Sequence, residues 1–173
     1  LIGTTNLRFG QLYLGNVSGT NTRDLRVPIQ TRYWNGSSWV INADDNATSF
    51  PLGSLTFARY TLDMNSSSTN VLPAASQLTM IAGVGYIGIQ KPSTGRGSFD
   101  IGINLNNRNG ANLGKWTGPA WNSGPGDAAT ASANIPYLSN NMGSSNYTND
   151  PAARVTFGVY RTTDKIIDIR EQY

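Results

Sequence analysis

The sequence contains no cysteine and no histidine. With their usual ligands missing, zinc, copper, haem and iron–sulfur centres are excluded as ordinary sites, and no disulfide adds to stability. Charge is scarce too. Charged residues make up 13% of the chain, about half the roughly 25% usual in soluble domains. The 13 Lys and Arg against 10 Asp and Glu leave a net charge of +3, and the basic residues are scattered. A protein that tracks phosphates needs a basic stripe or a recognisable motif, so nucleic acid is not an expected partner. No apolar run approaches the roughly 18–20 residues of a membrane span, so none is expected. The chain opens at Leu1 without a signal-like segment and reads as a mature product or a fragment.

Catalytic signatures are also missing. Without histidine, general acid–base work would fall to the Asp residues, the single Glu171, Lys and Tyr. Asp44 and Asp45 are adjacent, and neighbours in an extended chain point to opposite sides, so they do not form the facing carboxylate pair of a glycosidase. No nucleophile elbow, phosphate loop or kinase signature is present. The chain reads as a non-enzyme.

What fills the sequence is Gly, Asn, Ser and Thr around short alternating apolar segments. Residues 7–14, 25–33, 55–62, 84–89, 99–105, 155–161 and 165–170 place apolar side chains mainly at every second position, the period of a half-buried strand. Such density of short strands predicts an all-β fold with little or no helix: one antiparallel β-sandwich, or a barrel-like relative, over residues 1–173. At 173 residues one domain is the default. Residues 106–149 break the pattern and predict a long ordered loop region laid over the sheets.

Tyr33-Trp34-Asn35-Gly36-Ser37-Ser38-Trp39-Val40 carries the clearest local signal, because Asn-Gly between aromatic and β-branched flanks favours a tight hairpin. With Gly36 and Ser37 at the tip, Trp34 faces Trp39 on one side of the sheet, and Tyr33 and Val40 face the other. A second antiparallel hairpin is predicted over residues 155–170.

Exposed aromatic rings stack on sugars. Trp116, Trp121 and Tyr137 in the loop region, with Trp34 and Trp39, are therefore the candidate ligand-binding residues. The alternative is structural, since loop aromatics often pin a loop to the core and cross-strand aromatics stabilise hairpins. Calcium is the metal that the remaining oxygen donors suit. Asp44, Asp45 and Asn46, just beyond a strand, and Asn149 with Asp150 are its candidate ligands, and turn capping is the competing role.

Both ends of the chain share a pattern. Arg8-Phe9-Gly10-Gln11-Leu12-Tyr13-Leu14-Gly15-Asn16, Leu25-Arg26-Val27-Pro28, the hairpin from Tyr33 through Ile41-Asn42-Ala43-Asp44-Asp45, and Asp150-Pro151-Ala152-Ala153-Arg154-Val155-Thr156-Phe157-Gly158-Val159-Tyr160-Arg161 on to Arg170-Glu171 follow in order. In this they resemble the C-terminal part of the uncharacterised domain of MshQ-type proteins, encoded with the mannose-sensitive haemagglutinin pilus. Ala47 stands near where that family has a Cys. The uncharged stretch 140–149 stands where many members have an acidic loop, which counts against a family calcium site here. The resemblance implies a bacterial envelope-exposed or pilus-associated protein, often with lectin-like modules upstream, and no established activity. The expectation is a non-catalytic extracellular module for adhesion or binding to a glycan or a surface protein. The alternative is a structural subunit that self-assembles into a fibre through strand edges.

Overall fold

The computed structural model describes residues 8–68, 70–105, 131–139 and 150–158. Their strands are β1 (Gly10–Leu14), β2 (Val17–Gly19), β3 (Leu25–Trp34), β4 (Trp39–Ile41), β5 (Leu55–Ala58), β6 (Gln77–Ile81), β7 (Val84–Ile89), β8 (Gly97–Ile103) and β9 (Ala152–Phe157). They form a five-stranded sheet ordered β1-β3-β7-β6, with β4 also on β3, and a four-stranded sheet ordered β2-β9-β8-β5. The all-β sandwich expected from the sequence is what forms. Helix among the described residues is confined to short 3-10 turns.

Alternation makes the core. β3 buries Val27, Ile29 and Thr31 and turns Arg26 and Pro28 outward. β1 adds Leu12 and Leu14, β7 adds Ile87 and Ile89, and across from them β8 supplies Phe99, Ile101 and Ile103 and β9 supplies Val155 and Phe157. Each such side chain contributes roughly 1.5–3 kcal/mol on burial. Phe99 is the hub: its ring lies 6.0 Å from Phe57, 5.9 Å from Tyr60 and 6.5 Å from Phe157. β8 is buried on its other face as well. There Ser98 bonds Thr61 through its hydroxyl at 2.9 Å, and the Asp100 carboxylate is held between Arg154, at 2.7 Å, and Arg59.

Several expectations change. The strand predicted over 55–62 stops at Ala58, because Arg59 (φ 52°) and Leu62 (φ 55°) take left-handed backbone that no strand continues through. Leu62 ends 70% exposed. The sandwich is not wholly antiparallel, since β2 runs parallel to β9. β2 and β6, which the alternation does not announce, complete the two sheets. Of the loop region 106–149, residues 131–139 are described, and they bury Ile135 and Leu138. Residues 159–161 and the returning strand 165–170 lie outside the described residues.

Candidate functional site

The inner face of the five-stranded sheet runs on past the core at the end where β1 begins. Gly10 pairs with Tyr33 and Leu12 with Thr31, so Gly10, Thr31 and Tyr33 follow the buried Leu12 and Leu14 outward along one face. These residues floor a groove of about 610 Å³, within the roughly 300–1,000 Å³ of small-ligand sites. One wall is the 3-10 turn Pro136–Leu138. It comes close because Gly10 has no side chain: a Cβ there would meet Leu138 Cδ2 at 3.1 Å. Tyr137 stands on this turn, 67% exposed.

The opposite wall is the segment after β4, and backbone hydrogen bonds fix it. Asn42 N–H donates to Thr31 O at 2.8 Å, Asp45 N–H to Asn42 O at 2.9 Å, and Gly83 N–H to Asp45 O at 2.8 Å. Asp45 Oδ1 accepts from the N–H groups of Ala47 and Thr48 at 3.1 and 2.9 Å. Burial alone would push the Asp45 carboxyl up, but the Thr48 N–H, the Thr31 and Thr48 hydroxyls and the Ala47 N–H together hold it below its ordinary value of 3.8. Thr31 Oγ1 acts there by proximity only, because this buried hydroxyl has no partner at ordinary hydrogen-bond geometry. Arg8 closes the corner. Its guanidinium lies 4.4 Å over the Tyr33 ring and donates through Nη1 to Asn42 Oδ1 at 2.7 Å and Asp44 Oδ2 at 2.8 Å.

Of the calcium candidates, Asp44 thus pairs with Arg8, and Asp45 caps the turn that follows it. Asn46 Oδ1 accepts from Ala82 N–H at 2.9 Å. Asp150 lies apart and accepts from Leu105 N–H at 3.1 Å, and Asn149 is outside the described residues. Among the described residues no three acidic side chains converge.

Of the ligand-binding candidates among the described residues, only Tyr137 is brought to the groove. Trp34 and Trp39 are cross-strand partners as the Asn-Gly spacing predicts, with rings 5.8 Å apart. Asn35 N–H bonds Ser38 O at 3.1 Å across a tip where Gly36 has φ 103°. This pair sits on the outer face of the sheet, away from the groove. Trp116 and Trp121 lie outside the described residues. The sequence reading did not single out Arg8, Thr31, Tyr33 or Thr48. For Tyr33 a signal existed, since the hairpin register already placed it on the face opposite the tryptophans.

What fold and groove define is a β-sandwich with a preformed concave site at one end. The family described as DUF6701, fourth domain, matches residues 8–172, and the chain belongs to it. No curated protein and no solved structure matches.

Proposed function

We propose that this chain is a non-catalytic surface module whose groove binds a glycan through a neutral sugar ring. The observation that carries the reading is Tyr137, an aromatic ring left exposed on a turn above a groove whose polar wall is already fixed. Stacking on Tyr137 or Tyr33 would shed water from the apolar face of a sugar, while the Asn42 amide, the Thr48 hydroxyl and the Asp45 carboxylate offer donors and acceptors for sugar hydroxyls. With the wall held in advance, little ordering opposes binding. An extracellular, pilus-associated setting suits the low-charge surface and the MshQ-type resemblance.

Assembly through strand edges has less support. β2 has three residues and β5 four, too short to template much pairing. The free side of β6 is already engaged, with Phe50 N–H bonding Leu78 O and Met80 N–H bonding Thr48 O.

Calorimetric titration with neutral mono- and oligosaccharides tests the proposal. A binding sugar is expected, and Tyr137→Ala should weaken it about tenfold, ~1.4 kcal/mol, without changing the melting temperature. If no sugar in the panel binds, or if Tyr137→Ala binds as well as the native chain, the reading fails.

A further inference from the structure

The outer face of the five-stranded sheet has the makeup of an interface. Phe9, Tyr13, Trp34, Ile41, Ile81 and Val84 are six of the eight exposed large apolar side chains among the described residues, and the registers put all six on this one face. Tyr13 pairs with Gln30, Gln30 with Val84, Val84 with Ile81, Ile41 with Arg32, and Trp34 with Trp39. Phe9 O accepts from Trp34 N–H, and the Phe9 ring lies 5.5 Å from Trp39. Monomeric surfaces rarely gather apolar groups this way unless something covers them.

Two cations stand among them. Arg32 lies 3.6 Å over the Tyr13 ring, with Nε and Nη2 both donating to Gln30 Oε1 at 2.8 and 2.6 Å. Arg26 lies 4.6 Å over Tyr86. Stacking holds each guanidinium flat and leaves its charge uncancelled. Among the described residues no strand position on this face carries a carboxylate. The face is therefore rich in Tyr, Trp and Arg and poor in Lys, Asp and Glu, the composition of protein–protein contact cores. Strands of ten, six, five, five and three residues, at about 3.3 Å per residue and about 4.8 Å apart, cover on the order of 450 Å², the scale that each partner gives to the smaller, weaker class of specific interface.

We propose that this face docks a protein partner that brings carboxylates to Arg26 and Arg32 among apolar side chains of its own. A second copy does not fit, because it would meet these cations with the same two cations, and the chain carries +3. Phe9 and Arg32 also border the groove; Tyr137 and the polar wall after β4 play no part in this proposal.

A photo-crosslinking amino acid placed at Tyr13 or at Val84, with Leu62 at the far end of the sandwich as control, tests it in the cells that make the protein. Adducts from positions 13 and 84, and not from 62, are expected to join one other protein through a segment containing Asp or Glu. With that partner purified, Arg32→Gln should weaken binding at least fivefold while the melting temperature holds, and Arg32→Glu should be rescued by Arg in place of the partner's carboxylate. Tyr137→Ala should leave the adducts unchanged. The proposal is overturned by no adduct, by equal adducts from position 62, by adducts to a second copy or to a segment without carboxylates, or by Arg32→Gln binding like the native chain.

Discussion

The two ends of the sandwich both carry clefts, built from opposite materials. Where β1 begins, the groove is lined by Tyr33, Tyr137, Phe9 and Arg8 beside a fixed polar wall. At the other end the chain between β2 and β3, after β5 and between β7 and β8 encloses a larger cleft of about 830 Å³, lined by Asn, Ser and Thr without an aromatic ring. Polar groups in and beside it bond within and between its loops: Asn65 Oδ1 takes the Ser67 N–H at 2.9 Å, Asp63 Oδ2 the Arg96 N–H at 3.1 Å, and Asp24 Oδ1 the Lys91 N–H at 2.9 Å. Size therefore does not mark the site. An apolar surface next to polar groups with capacity to spare does, because it gains both from water released and from bonds made.

The largest expected effect removes both ends together. β9 lies between β2 and β8 and buries Ala153, Val155 and Phe157. Losing several such side chains, at roughly 1.5–3 kcal/mol each, takes most of a net stability of about 5–15 kcal/mol. A chain ending at Asn149 should show no cooperative thermal transition. A cooperative melt at the native temperature would mean that neither cleft depends on this strand.

Single substitutions then separate the ends. Asp45→Ala leaves two backbone N–H groups without their acceptor, and denaturant titration at pH 7 should show a loss of about 1 kcal/mol. The dependence on pH has a definite sign. Because the folded carboxyl titrates below 3.8, its contribution is complete above that pH and is lost as pH falls through the folded value. The gap between native chain and Asp45→Ala should therefore be full at neutral pH and close below pH 3.8. A gap that widened in acid would contradict the assigned hydrogen bonds. At the polar end, Asn65→Ala removes a bond made in water and should cost only a few tenths of a kcal/mol by the same titration. A loss equal to that of Asp45→Ala would erase the contrast.

Calcium should have the smallest effect. Asp44 faces Arg8 and Asp45 is bonded to backbone N–H groups, so a cation would have to displace both arrangements. Melting temperatures in chelator and in millimolar calcium should agree. A rise in calcium would reveal a ligand that binds the folded state and restore the calcium reading of these residues.

How far the sequence reveals this depends on the range of the contact. β3 and β8 alternate strongly, so their faces follow from period two, and the Trp34–Trp39 register follows from four residues around Asn-Gly. β2 is too short to show a period, and β6 keeps an irregular register with β7. The end of β5 is hidden because Arg59 and Leu62, unlike Gly, give no sign of left-handed backbone. The groove joins Arg8, the chain after β4 and Tyr137, three segments brought together only by the sandwich. Tyr137 was legible as a loop aromatic, but its neighbours were not. The Asp44–Asp45 pair was legible in type, with capping and calcium both open, and the partner of Asp44, thirty-six positions away at Arg8, lay beyond any local rule.

Amide shift mapping during a titration with a panel of neutral oligosaccharides tests the central claim most directly. The account predicts that one of them shifts Thr31, Tyr33, Asn42, Thr48 and Tyr137 in a saturable way and leaves Asn65 through Ser68 and Gln90 through Thr94 unmoved. Shifts centred on the polar cleft, or no shift with any sugar, would contradict it.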